Sequence, residues 1–292
     1  MKDQDSDGDL PIVRDHRRQW RDCLYVYPVI SRRSRGLSIG INLNPEKLCT
    51  FACVYCQIDR KSRRDLHGVD IPVLRRELDA VLAEAIGGQI WREDRFAATP
   101  ANLRRVHDIA FSGDGEPTCL ANFDQAVAAV AEGRRKAKLE SIKIIVITNA
   151  SALDTPQVRL ALPILDANNG EIWAKLDAGT EEAFQRINRP HAPITLARIV
   201  ENITNVARGR AVVIQSLFFR TAGQAPSGEE IEAYCRRLGE ILGGGGKIKL
   251  VQVYTVARDP TEKDVSALNP AELDIIVGTI RRTVIGVPVE AY

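Results

Sequence analysis

Apolar and polar positions alternate along the chain between two periods. LSIGINL (37–43), DIAFSG (108–113), SIKIIVITN (141–149), EIWAKLD (171–177), AVVIQSLFF (211–219) and KIKLVQVYT (247–255) are short, β-branched and nearly continuous in apolar character. That is the pattern of parallel strands covered on both faces. Between them the period lengthens to that of a helix. VLRRELDAVLAEAI (73–86) sets Leu74, Leu78, Val81, Leu82 and Ala85 on one stripe, and Gly87-Gly88 ends it. An Ala-rich helix is expected over 122–138. Ser227 with Glu230 three residues on resembles a capping box. The helix it opens has Ile231, Tyr234, Leu238, Ile241 and Leu242 on its apolar face, and GGGG (243–246) closes it. Asn269-Pro270 with Glu272 opens another helix, with Leu273, Ile276, Val277 and Ile280 inward.

Strands alternating with helices give right-handed βαβ units and an α/β fold. Six such units fit an open doubly wound sheet or a partial barrel, and periodicity does not choose between them. In either architecture ligands gather where the loops leave the carboxyl ends of the strands. That rule sets the cysteine loop, GDGEPT, TNAS and DAG on one rim.

Composition narrows the function classes. At 292 residues and 45% hydrophobic, the chain can bury a sizeable core in one large domain or two small ones. A net charge of +2 argues against a dedicated nucleic-acid binder and still allows RNA as a substrate. No apolar run approaches the ~20 residues that span a bilayer. MKDQDSDGDL at the N-terminus is acidic and has no apolar core, so no secretory signal and a cytoplasmic location are expected. Six cysteines are too sparse for a disulfide scaffold, and a reducing compartment leaves their thiols available for metal.

Three of the six stand together in CTFACVYCQIDR (49–60), as Cys49, Cys53 and Cys56 with the spacing C-x3-C-x2-C. A structural zinc site is normally closed by four ligands. Cys53 and Cys56 make one pair, no second pair exists, and His67 has no companion to complete a finger. A cubane 4Fe–4S cluster also takes four thiolates. Three protein ligands would leave one iron open for a ligand from outside the protein. A thioredoxin-like reading of Cys53 and Cys56 leaves Cys49 unexplained. Packing as small apolar residues is the bland alternative, and three in eight positions weigh against it.

C-x3-C-x2-C with an aromatic residue, Tyr55, before the last cysteine resembles the signature of the radical S-adenosylmethionine (radical SAM) superfamily. The resemblance implies a partial (βα)6 TIM-like barrel of parallel strands with outer helices. It implies a 4Fe–4S cluster on Cys49, Cys53 and Cys56, with S-adenosylmethionine chelating the fourth iron. Reductive cleavage would yield a 5′-deoxyadenosyl radical that abstracts hydrogen from substrate, and a flavodoxin- or ferredoxin-like partner would donate the electron. Gly113, Asp114, Gly115 and Glu116, ending the second predicted strand, look like the family's "GGE" motif that lines the methionine amine. Asp114 departs from the glycine of many members. Asn149 and Lys175 are candidates for the methionyl carboxylate, Asp177 for the ribose hydroxyls, and Gln215 for the barrel interior facing cofactor or substrate. The stretches SRRSRGLSIGINLNPEKLCTFACVYCQIDR, SGDGEPT and KLDAGTEEAFQRINRP look closest to a small branch related to the archaeal wyosine-base (tRNA) synthases. Those enzymes carry a second cluster on N-terminal cysteines, where this chain has only Cys23.

The expected organisation is an N-terminal basic arm (1–36), a radical SAM core (37–255) and a C-terminal loop, helix and short strand (256–292). The arm holds seven arginines against two aspartates between positions 14 and 35, with Trp20, Tyr25 and Tyr27 interleaved. Basic plus aromatic suits RNA contact. The balanced overall charge favours an arm that packs its aromatics on the barrel. Cys235 is read as core, Cys119, just past GDGEPT, as either near the site or a small buried residue, and His191 as the histidine to test. Competing readings are a non-catalytic iron–sulfur or zinc protein, an RNA-binding module with a structural metal and, within the family, tRNA-base modification of the wyosine type.

Overall fold

All six apolar runs are strands in the computed structural model, which describes residues 18–31, 35–58, 68–258, 260 and 262–292. His67, four of the arm's arginines (Arg14, Arg17, Arg32 and Arg33) and the last two residues of the cysteine stretch lie outside the described residues. The chain divides into two compact units: Met1–Glu46, Arg64–Val146 and Pro156–Glu171 form the first, and Lys47–Arg63, Ile147–Thr155 and Ile172–Tyr292 the second.

The first unit carries β1 (Val26–Ser31), β2 (Gly36–Ile41), β3 (Val106–Phe111) and most of β4 (Lys143–Thr148). β1 and β2 form an antiparallel hairpin, and β2, β3 and β4 pair in parallel. Helix α1 (Ile71–Ile86) buries Leu74, Leu78, Val81, Leu82 and Ala85, the stripe read from the sequence. Asp70 caps it by accepting from Val73 N, and Gly88 leaves it with φ +81°, a left-handed conformation suited to glycine. Helix α1 also buries Glu77, whose carboxylate accepts from the backbone N–H groups of Leu24, Tyr25 and Val26 at 2.8–3.2 Å. That contact explains why VYPVIS, written into the arm above, is a strand: its entry is tied to α1, and Trp20, Tyr25 and Tyr27 are buried. After the four-residue α2 (Asp94–Ala97) come the Ala-rich α3 (Phe123–Lys136) and α4 (Pro156–Asp166).

The second unit carries most of β5 (Gly170–Lys175), then β6 (Val212–Leu217), β8 (Ile248–Tyr254) and β10 (Val289–Ala291), paired in parallel in that order. β7 (Arg220–Thr221) and β9 (Val265–Ser266) make a short antiparallel ribbon. Its helices are α5 (Glu181–Asn188), α6 (Leu196–Gly209), α7 (Gly228–Gly243) and α8 (Pro270–Thr283). The two caps expected from sequence turn out differently. Asn269 and Glu272 form a full capping box on α8. Ser227 caps α7, accepting from Glu230 N, but the Glu230 carboxylate does not return to the cap. It accepts instead from Gly179 N at 2.6 Å and Thr180 Oγ1 at 2.7 Å. A charged acceptor gains more from two donors of the β5–α5 loop than from one cap amide.

Among the described residues, no helix is long and apolar enough to cross a membrane.

Candidate functional site

The cysteine loop lies in the second unit and is stapled to α5. Ala52 N donates to Arg189 O at 3.0 Å, Val54 N to Ile187 O at 2.9 Å, and His191 N to Thr50 O at 2.9 Å. A tight turn, Cys56 N to Cys53 O at 2.9 Å, carries the second and third cysteines. Phe51 is buried edge-on against Phe184, with 5.6 Å between centroids, and Val54 joins Leu217, Phe219 and Val265 in an apolar cluster. These two anchors leave Cys49, Cys53 and Cys56 half-buried, none of them in a disulfide.

Amide groups face two of the sulfurs. Asn149 Nδ2 lies 3.8 Å from Cys49 Sγ and 2.8 Å from Thr50 Oγ1. Asn188 Nδ2 lies 3.5 Å from Cys53 Sγ. Burial pushes the Cys53 thiol up to about 12, against the smaller opposing effects of hydrogen bonds from Tyr55 and Asn188.

Asp177 is the hub beneath this loop. Its Oδ2 accepts from Tyr55 OH at 2.5 Å and from Asn188 Nδ2 at 3.4 Å. Its Oδ1 accepts from Leu217 N at 2.9 Å and lies 3.2 Å from Lys175 Nζ. Both oxygens therefore have donors within the protein. Lys175 also donates to Tyr254 OH at 2.8 Å and sits 5.1 Å from the Tyr55 ring centroid. Burial alone would lower the Lys175 pKa, but Asp177 and Tyr254 overcome it and hold the amine above its ordinary value. Tyr55 is pushed well above the usual phenol range, first by burial and then by the Asp177 charge. Gln215, the polar residue inside an apolar strand, donates to Gln252 Oε1 at 2.8 Å, and both are buried.

An open cleft of about 230 Å³, solvent included, adjoins the hub. Phe51, Phe184, Leu196 and Ile199 form its apolar wall, and Asn149, Lys175, Asp177 and Asn188 its polar side. Asn188 is 4% exposed, and its Oδ1 has no hydrogen-bond partner among the described residues. Gly179, in the loop leaving β5, keeps the hub close to α7: a Cβ there would stand 2.1 Å from Tyr234 N and 2.6 Å from Glu230 O. Both are helix backbone and cannot swing aside, so Gly179→Ala is expected to cost about 1–3 kcal/mol in denaturant unfolding.

GDGEPT belongs to the first unit. Gly113 packs on Asn42, whose Oδ1 would be 2.3 Å from an added Cβ. Asp114 N donates to Asn42 Oδ1, and Asp114 accepts from Asn42 Nδ2 at 2.8 Å and from Arg18 Nη1 at 2.5 Å. The departure from glycine thus has a use: it fastens the arm residue Arg18. After Gly115, Glu116 is buried and caps the next turn, accepting from Thr118 N and Oγ1 at 3.1 and 2.6 Å. Cys235 is buried on α7 and His191 is exposed, while Cys119, expected near the site or buried, is only half-buried at the end of the short Pro117–Cys119 turn. The Cys23 thiol is pushed up to about 11 by burial and by Glu77. Asn188, Tyr254 and Gln252 were missed from sequence. A polar residue within an apolar run marked Gln252 as it marked Gln215, but no spacing marks Asn188.

No protein-family profile matches the chain. Among curated proteins it is 31% identical to "UPF0026 protein MJ1312" of Methanocaldococcus jannaschii, over 60% of this chain and 47% of that one. It is 32% identical to "UPF0026 protein slr1464" of Synechocystis, over 61% and 57%. It is also 25% identical to a protein named "GTPase Obg" in Brachyspira hyodysenteriae, over 85% of this chain and 32% of that one. The chain thus spans between about a third and somewhat over half of these relatives' length. Among solved structures, a radical SAM methyltransferase from Sphaerobacter thermophilus superposes with a TM-score of 0.60 at 12% identity, covering 91% of this chain and 68% of that one. The fold is the radical SAM fold. Streptococcus suis SuiB, solved with S-adenosylmethionine bound, gives 0.57 at 12% identity, over 89% and 52%. TYW1 with a lysine-pyruvate adduct gives 0.53 at 12% identity, over 85% and 74%.

On the radical SAM fold, the donor set of the cysteine loop suits a 4Fe–4S cluster by its chemistry. Three soft thiols occupy one loop, and N–H groups at two of them favour anionic sulfur. Among the described residues no three His, Cys, Asp or Glu side chains converge closely enough to hold a metal ion.

Proposed function

We propose that this chain is a radical SAM enzyme that holds a 4Fe–4S cluster on Cys49, Cys53 and Cys56 and takes S-adenosylmethionine as cosubstrate. The observation that carries the reading is the three-thiol loop, backed by amide donors, on a radical SAM fold. When bound, the reduced cluster would supply the one electron that breaks the sulfonium C5′–S bond, giving methionine and a 5′-deoxyadenosyl radical able to take a hydrogen atom from the substrate.

The chain's own residues bind and orient. Phe51 and Val54 pin the loop to the second unit's core, and Tyr55 ties it to Asp177. Lys175 keeps its proton because Asp177 and Tyr254 flank it, which makes it a fixed cation at the cleft. A fixed cation there meets an anionic group such as the methionyl carboxylate. The free Oδ1 of Asn188 is an acceptor for a hydroxyl or amine of a bound molecule. The reading requires a one-electron donor of the flavodoxin or ferredoxin class and a reducing, cytoplasmic setting. A nucleotide-hydrolysing role gains no support from the chain, which contains no G-x4-G-K-[ST] stretch.

The test is anaerobic reconstitution with iron and sulfide, reduction, and addition of S-adenosylmethionine. About four irons per chain and release of 5′-deoxyadenosine are expected. A cluster whose EPR signal ignores S-adenosylmethionine, with nothing cleaved, would leave the electron-carrier reading in its place. The resemblance of the sequence to the wyosine-base synthases supports a narrower reading, a tRNA base as substrate. Incubating the reduced enzyme with unmodified tRNA, then analysing nucleosides by mass spectrometry, decides it; unchanged nucleosides would remove it.

A further inference from the structure

We propose that Asn149 and Asn188 are positioning residues for the cluster, each donating a carboxamide N–H to one ligand sulfur and so setting how tightly the cluster is held and at what potential it is reduced. The inference rests on the radical SAM reading, because it takes Cys49 and Cys53 as cluster ligands.

The two amides reach the loop from separate elements. Asn149 follows β4, and Asn188 is the last residue of α5. Their orientations are dictated by other partners. Asn149 Oδ1 accepts from Ser151 N at 3.0 Å, so Nδ2 is the atom left facing Cys49. Asn188 Nδ2 stands between Cys53 Sγ and the acceptor-only carboxylate of Asp177, so the oxygen must point away. That is also why, among the described residues, Oδ1 is left without a partner although Asn188 is only 4% exposed. Burying an amide oxygen unpaired costs free energy, and the arrangement persists because the N–H side is held by the loop and the hub.

Sulfur carries more negative charge when a cluster is reduced, so N–H donors at sulfur favour the reduced state and raise the potential. Partners behind the ligands also set retention, and losing one typically costs about 10–100-fold in metal affinity. Asn188 has the larger part, since it joins Cys53 to Asp177 and through it to Tyr55, one residue before Cys56.

The experiment uses the reconstituted full chain and its Asn149→Leu, Asn188→Leu and Asn188→Asp variants, kept anaerobic. Iron release to a chelator and the midpoint potential from EPR-monitored titration are measured, with melting of the metal-free proteins alongside. Each leucine variant is expected to release iron about tenfold faster than wild type and to show a more negative potential. Asn188→Asp preserves size if the leucine fails to fold, and its added negative charge should move the potential the same way and further. Potentials and release rates equal to wild type overturn the inference. So does a lowered melting temperature with an unchanged potential, which would make the amides purely structural. A wild type that holds no cluster at all removes the radical SAM reading itself, a distinct result.

Discussion

A Cys53→Ala chain, reconstituted and reduced beside wild type, makes no detectable 5′-deoxyadenosine and retains a fraction of the iron. Cys53 is the middle of the three thiols, and it is the one faced by Asn188. Removing it leaves Cys49 and Cys56 to hold a cluster that takes four ligands, with the cosubstrate as a single external one. Neither asparagine can compensate, because a carboxamide N–H is a donor and not a ligand to iron. Cys235→Ala is the control: that thiol is buried on α7, away from the loop sequence, and its loss should leave cleavage intact. Full activity in Cys53→Ala would mean that the loop is not the cluster site, whatever the fold.

The second large effect is on stability. Asp177→Leu is expected to cost about 3–5 kcal/mol of unfolding free energy, because it strips the charged partner from a buried cation and removes one acceptor from each of three further donors. Those are Tyr55 OH, Asn188 Nδ2 and Leu217 N. The Lys175 side chain is only 18% exposed, so water restores little of the loss. Pairing the change with Lys175→Met should recover part of it, since the double variant buries no unmatched charge. A coupling of at least about 1 kcal/mol between the two positions is expected in urea unfolding. An Asp177→Leu chain within about 0.5 kcal/mol of wild type would show that the hub contributes nothing net.

These two expectations divide along what can be read from the chain. The cysteines declare themselves by spacing, and no tertiary information is needed to see that three soft ligands lack a fourth. Asp177 is legible as a polar residue at a strand end, but its role is not. The structure gives its two oxygens a phenol, an amide, a backbone N–H and an amine as neighbours, none of which the sequence names. Gln215 shows the same split. Its need for a partner is written into the apolar run around it, yet the partner, Gln252, is supplied by the register that sets those two residues side by side on β6 and β8. Glu230 fits the local capping rule and is drawn off by Gly179 and Thr180, 50 or so positions upstream.

By itself the sequence determined the alternation of strands and helices, the stripe of α1, the cap of α8 and the clustering of thiols. Each of these is encoded within a few residues, through side-chain periods of 2 and 3.6, capping atoms and ligand spacing. The tertiary structure alone decided that 26–31 is a strand tied to Glu77, that Asp114 fastens Arg18, and that Asn188 stands between a cysteine and the hub. Those pairings join residues 11 to 135 positions apart. A hydrogen bond at such separation depends on loop closure and packing throughout a unit, which no local pattern of residues records.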